Sequence, residues 1–192
     1  SQASFAYGIF YQRPETNILP SISNNLLYAR ATHYILQYQR TSNKRTFRTE
    51  IFYKQYNNLY KTGSNAFGNA AALNNNGSGF AKGIEFFWRD KKTLKNIDYW
   101  ISYSYLDTKR DFLNFPSLTR PSFAAKHTAA FVFKKFFMPW KTQFNLSYNF
   151  ATGRPYYRIA YDNTQNKNVF TDMGTTINYN SCSFSVNYLP TI

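Results

Sequence analysis

The sequence predicts an all-β fold: an antiparallel transmembrane β-barrel segment of about eight strands, joined by short turns and long loops in alternation. Three observations carry that expectation. Apolar and polar residues alternate with period two in successive segments, as strands do when one face is apolar and the other wet. The segments run to about ten residues, longer than the usual five or six of globular sheets and suited to a tilted bilayer crossing. Connections after the first, third, fifth and seventh segments are long and those after the second, fourth and sixth are short, because antiparallel strands send every second connection to the same side.

The first strand is expected over residues 3–12, with Phe5, Tyr7, Ile9 and Tyr11 opposite Ala6 and Gly8. A long connection rich in turn residues follows, from Arg13 past Pro20 to Asn25. The second strand, 32–40, sets Tyr34, Leu36 and Tyr38 against His33, Gln37 and Gln39, and the third, 46–56, sets Phe47, Ile51 and Tyr53 against Arg48, Glu50 and Lys54. Between them lies a short turn at 41–45. After a Gly-, Asn- and Ala-rich loop at 61–79 come the fourth strand, 80–90, and the fifth, 98–106, with Lys91, Lys92 and Lys95 in their turn. A loop carrying Pro116 and Pro121 leads to the sixth strand at 127–136 and a short turn at 137–140. The seventh, 141–151, alternates most regularly: Phe144, Leu146, Tyr148 and Phe150 against Gln143, Asn145, Ser147 and Asn149. A long loop over 152–172 precedes the eighth, near 177–189, where Phe184, Val186 and Tyr188 face away from Ser183, Ser185 and Asn187.

Aromatic residues make up 20% of the chain while mean hydropathy is −0.52, so apolar mass is concentrated in rings interleaved with polar groups. Nothing approaches the 18 apolar residues in a row of a membrane helix. A barrel strand shows lipid only every second residue, so its average hydropathy stays low. A soluble β-sandwich face also alternates, but the stripe Gln143, Asn145, Ser147, Asn149 suits a wet lumen better than a dry core. The formal charge of +14, from 23 Lys and Arg against 9 Asp and Glu, favours a polyanionic neighbour, either nucleic acid or the phosphate surface of a membrane. Nucleic-acid binding needs basic groups converging with exposed stacking rings. Here the basic residues gather instead at the three short turns (Arg40, Lys44, Arg45, Arg48; Lys91, Lys92, Lys95; Lys134, Lys135, Lys141), which suits a rim, and no nucleic-acid partner is expected.

Trp88, Trp100 and Trp140 lie in or beside the short turns, where an interface girdle is expected, since indole pairs an apolar body with a polar N–H. Trp100 has the parity of Ser102, which requires either a bulge or an inward position at the rim. Arg48, Glu50, Lys54, Glu85 and Arg89 share the non-aromatic face, so a lumenal charge network is expected in preference to an acid/base pair. Asp107/Asp111 and Asp162/Asp172 sit at long loops and read as solvated charge. His33 and His127 each follow an Ala by two residues at a strand start, a structural rim pattern; no metal site or cofactor is expected. The glycines at 77, 79 and 83 match neither the dinucleotide nor the Walker spacing and precede a strand. No Gly-x-Ser-x-Gly occurs, and the chain is not expected to be an enzyme. One cysteine, Cys182, excludes an internal disulfide. Eight strands could close into a small structural or adhesive barrel filled by side chains. The end at Asn187 to Ile192 reads instead as a strand exit and turn, which favours a piece of a larger barrel.

The runs 29–38 (ARATHYILQY), 47–54 (FRTEIFYK), 79–85 (GFAKGIE), 99–105 (YWISYSY) and 150–156 (FATGRPY) resemble the C-terminal barrel of TonB-dependent outer-membrane receptors of the Bacteroidetes type. The resemblance implies that residues 1–192 are part of one outer-membrane barrel domain whose plug and remaining strands lie elsewhere. It implies partners too: outer-membrane lipid, the plug, the energy-coupling inner-membrane complex, and a siderophore, vitamin, peptide or glycan as ligand. On that reading Arg154, Tyr156, Tyr157, Arg158 and Arg120, with the loops at 61–79 and 109–126, are the ligand-facing candidates, since aromatic and Arg side chains at loop mouths suit sugars or anionic chelates.

Overall fold

In a computed structural model of the chain the alternating segments form strands, and the structure describes residues 1–14, 26–62, 74–165 and 167–190. The strands are β1 (Gln2–Gln12), β2 (Ala29–Ser42), β3 (Arg45–Lys61), β4 (Asn74–Asp90), β5 (Ile97–Asp111), β6 (His127–Phe137), β7 (Thr142–Ala151), β8 (Pro155–Asp162), β9 (Lys167–Thr175) and β10 (Tyr179–Tyr188), with a 3₁₀ turn at Met138–Trp140. Eight of them make one antiparallel meander in the order β1-β2-β3-β4-β5-β6-β7-β10, and β8 pairs only with β9. The expected eighth strand is therefore β10. The sheet is open, because β1 and β10 lie at opposite ends of this order.

Two expectations need correction. The loop expected over 152–172 contains the β8–β9 hairpin, whose polar outer face hid its alternation. β3, β4 and β5 also run about five residues further toward the long loops than the pattern indicated. There, residues such as Asn57, Asn74 and Asp111 keep the pairing, because ladder hydrogen bonds do not require an apolar face. The loop stretches at 15–25 and 63–73 lie outside the described residues.

Cross-strand register separates the sheet into two faces. Phe5, Leu36, Ile51, Ile84 and Tyr105 form one row across five strands, and Phe47, Trp88, Ile101, Phe131 and Tyr148 form a parallel one. Gln37, Glu50, Glu85, Ser104 and Thr128 form a row on the other face. The apolar face is open: Phe5 is 66% exposed, Leu36 and Ile51 53% and Phe184 65%. Among the described residues only Phe52, Ala81 and Ala124 are buried hydrophobics. The accessible surface is 12870 Å², against about 9,500 Å² for a compact soluble protein of this mass. Among the described residues the eight-stranded sheet is a single layer that buries few apolar side chains.

Close packing between strands is local. Phe52 lies over Gly83, where an added Cβ would meet its ring and the Tyr105 carbonyl, so that position has room for glycine alone.

Candidate functional site

The polar face carries a hollow of about 470 Å³ spanning β3 to β7, lined among others by Arg48, Glu85, Ser102, Ser104, Asn149 and Arg154. Its floor follows from the alternation: the small Ser102, Ser104, Thr128 and Ala130 point to this face while their neighbours Ile101, Tyr103, Ala129 and Phe131 point to the other. The result is a wide polar surface with room above it. Hydroxyl, amide, carboxylate and guanidinium groups suit a polar or sugar-like ligand there, or a polar protein surface.

The five charged residues expected to form a network share this face, yet the described residues show no ion pair among them. Arg48 stacks 6.0 Å from the Phe87 ring and Lys54 lies 5.1 Å over Phe52. Arg89 grips Asp98 through two bonds of 2.9 and 2.6 Å and covers Trp100 at 5.3 Å. Glu50 and Glu85 stand directly opposite each other, a like-charge cross-strand pair that costs stability.

Register is continuous through Arg89, Trp100 and Val132, so no bulge shifts Trp100. It faces the polar side beneath Arg89 and Lys134. Trp88 lies on the apolar face, edge-on to Phe47 at 6.3 Å. Trp140, 65% exposed in the 3₁₀ turn, packs edge-on against Phe137 at 4.9 Å. All three remain at the short-turn end, but only two sit where a ring of interface aromatics would meet lipid. The histidines also divide: His33 pairs with Lys54 on the polar face, and His127 accompanies Tyr105 on the apolar face, its Nδ1 2.8 Å from the Tyr103 hydroxyl. The two positions are not equivalent.

The ligand-facing candidates fall into three places. Arg154 lines the polar hollow, its backbone N–H donating to Thr176 Oγ1. Tyr156 and Arg158 lie on the exposed outer face of the β8–β9 hairpin, with Tyr156 crossing Gly174 and Arg158 opposite Asp172. Tyr157 points the other way, into an aromatic cluster missed in the sequence. It packs 5.1 Å from Phe170, while Phe115 reaches Tyr157 at 5.8 Å and Phe112 at 5.1 Å. Burial raises the Tyr157 hydroxyl above its ordinary pKa, partly opposed by the charge of Arg120. This cluster joins the loop after β5 to the hairpin, and Asn168 seals it by donating to the Asn114 carbonyl. The period-two apolar residues Tyr157, Ile159 and Tyr161, followed by Val169-Phe170 after a polar turn, were the available signal.

Three of the four aspartates expected at the long loops have partners, and two of these, Asp107 and Asp111, lie within β5. Asp107 pairs with Lys82 at 3.5 Å and Asp111 with Lys61. Asp162 caps the hairpin turn, accepting from the N–H groups of Thr164 and Gln165. Those backbone bonds, Thr164 foremost, hold its carboxyl below the usual range against an opposing effect of burial.

At the short-turn end Asp90, 2% exposed, accepts from the N–H groups of Lys92 and Thr93, the Thr93 hydroxyl and Arg45 Nε. Burial alone would raise its pKa; the hydrogen bonds and Arg45 outweigh that and hold it far below the ordinary carboxylate value. No protein-family model and no curated protein matches this chain.

Proposed function

We propose that this chain is a wall segment of a bacterial outer-membrane β-barrel of the TonB-dependent receptor type, whose long-loop end takes part in uptake of a small polar or anionic ligand. The observation that carries the reading is the one-sided exposure of the sheet. Ile51, Ile84, Ile101 and Phe184 stand in the open on one face, while the other holds a polar hollow. In water such an apolar face far exceeds what a soluble monomer leaves uncovered; against lipid it is the lower-energy arrangement. Strands of 10 to 17 residues are long enough for a tilted crossing of the roughly 25 Å apolar band.

The unpaired outer edges of β1 and β10 favour a larger barrel over a closed eight-stranded one. In lipid each unsatisfied N–H or C=O costs several kcal/mol, so these edges call for partner strands. Recognition belongs to the long-loop end, where Arg154 and the hairpin face with Tyr156 and Arg158 offer charge and rings.

Single cysteines placed at Leu36, Ile84 and Ile101, and at Gln37, Glu85 and Ser102, and labelled with an environment-sensitive fluorophore, test the membrane reading in Cys182→Ser protein. The first set should shift blue and be quenched by nitroxide lipids, and the second should not. Equal behaviour of both sets would remove it. Replacing Arg154 and Arg158 by alanine in the intact receptor should weaken ligand uptake about tenfold, the size of one charge-assisted contact; unchanged uptake would clear them of the role.

A further inference from the structure

At the short-turn end a second hollow, of about 590 Å³, is lined by Lys44, Lys91, Lys92, Lys95 and Lys134, with Asp98 as its single carboxylate. These lysines come from three separate pieces of chain: the β2–β3 turn, the β4–β5 turn and β6. Their convergence is fixed by backbone bonds between the pieces, from Lys91 N–H to the Lys44 carbonyl at 2.8 Å and from Phe136 N–H to the Asn96 carbonyl at 3.2 Å. Asp98 is already held by Arg89 at 2.6 Å and Lys91 at 3.6 Å, and Asp90 by Arg45 at 2.9 Å. Lys44, Lys92, Lys95 and Lys134 have no ion-pair partner among the described residues, so several ammonium groups share one hollow without compensation. Such a concentration of like charge attracts an anion.

The geometry points to this hollow as a binding site for a multiply charged phosphate group, carried by a soluble phosphorylated molecule or by an anionic lipid headgroup. The donors decide the anion. Arginine forks match carboxylates and phosphates alike, but the nearby Arg45 and Arg89 are engaged by Asp90 and Asp98. What remains free is lysine, a compact point charge suited to tetrahedral phosphate oxygens. Leu94, Ile97 and Phe136 supply an apolar flank. The site goes beyond the uptake reading and does not depend on it, since it lies at the end of the sheet remote from the ligand-facing loops.

Two variants of equal charge change test it: Lys92→Gln/Lys95→Gln in the hollow and Lys135→Gln/Lys141→Gln at the same end of the sheet but outside the hollow. The probes are myo-inositol hexakisphosphate, measured by calorimetry in zwitterionic detergent, and phosphatidylcholine vesicles with and without phosphatidylglycerol. The first variant should bind at least one phosphate probe about tenfold or more weakly while the second stays within about twofold, with both affinities falling as salt rises. Binding to the soluble probe identifies a free phosphate ligand, and binding to phosphatidylglycerol vesicles alone identifies a lipid headgroup. Equal losses in both variants, no binding of either probe, or equally tight binding of a polyglutamate peptide would overturn the assignment. A second measurement needs no variant. In the unaltered protein the bound phosphate probe should protect Lys44, Lys92, Lys95 and Lys134 from acetylation and leave Lys135 and Lys141 reactive; uniform reactivity would also overturn it.

Discussion

The two faces of the sheet differ less in backbone than in what their side chains need. On one, Leu36, Ile51, Ile84 and Ile101 point outward and are exposed; on the other, Gln37, Glu50, Glu85 and Ser102 line a polar surface at adjacent positions of the same strands. Both are made by the same strands, so pairing and propensity are common to them and cancel in any comparison. The difference isolates solvent. On the proposed membrane reading, lipid meets the face of rings and branched aliphatics, and water meets the face of amides, hydroxyls and charges.

A charge placed on the apolar face should break this contrast most severely. Ile84→Lys should destabilise the protein in bilayers by about 2 kcal/mol or more, whereas Ser104→Lys, opposite Glu85 on the other face, should not destabilise it. Denaturant unfolding in vesicles measures both, and equal penalties would mean that the faces see the same medium. Next in size, Gly83→Val should cost about 1–3 kcal/mol by overpacking against Phe52 and the Tyr105 carbonyl. Thermal unfolding against wild type checks it.

A smaller effect, with a pH signature, is expected at Asp90. Its folded pKa is depressed, so its stabilisation is complete above the unfolded carboxylate value of about 3.9 and fades as pH falls below it. Asp90→Asn should therefore be less stable than wild type at pH 7, with the gap narrowing on acidification below about pH 4. A gap independent of pH would show that shape, not charge, is what the site needs. Smallest of all, Glu50→Gln should stabilise the polar face by about 0.2–1 kcal/mol by removing its repulsion with Glu85. The gain should shrink in high salt, and a loss instead would reveal that Glu50 makes a favourable contact.

Strand positions were legible because one face is apolar. Where Phe144, Leu146 and Tyr148 alternate with Asn145 and Ser147, the expected strand and β7 agree to one residue at its start. Where both faces are polar, as in the outer ends of β3 to β5, pairing continues without leaving a pattern. The hairpin of β8 and β9 was hidden for a related reason: its outer face carries Arg158 and Asp172, and its inner rings are covered by Phe112 and Phe115 from another loop. Nothing local to residues 155–175 announces that contact. Arg154, Tyr156, Tyr157 and Arg158 are adjacent in sequence yet reach three surroundings, because alternation sends neighbouring side chains to opposite sides.

The sequence by itself determined the all-β class, the number of strands in the main sheet, the sides on which short turns and long loops fall, and the parity that puts Trp100 with Ser102. These follow from period two, which is a local property of extended chain. Only the tertiary structure decided that the sheet stays open, that the lysines of separate turns share one hollow, that Glu50 meets Glu85, and that Tyr157 is sequestered while Tyr156 is not. Each of these depends on cross-strand register or on contact between distant loops, where the pairing of hydrogen bonds across the chain, and not the order of residues along it, sets what stands beside what.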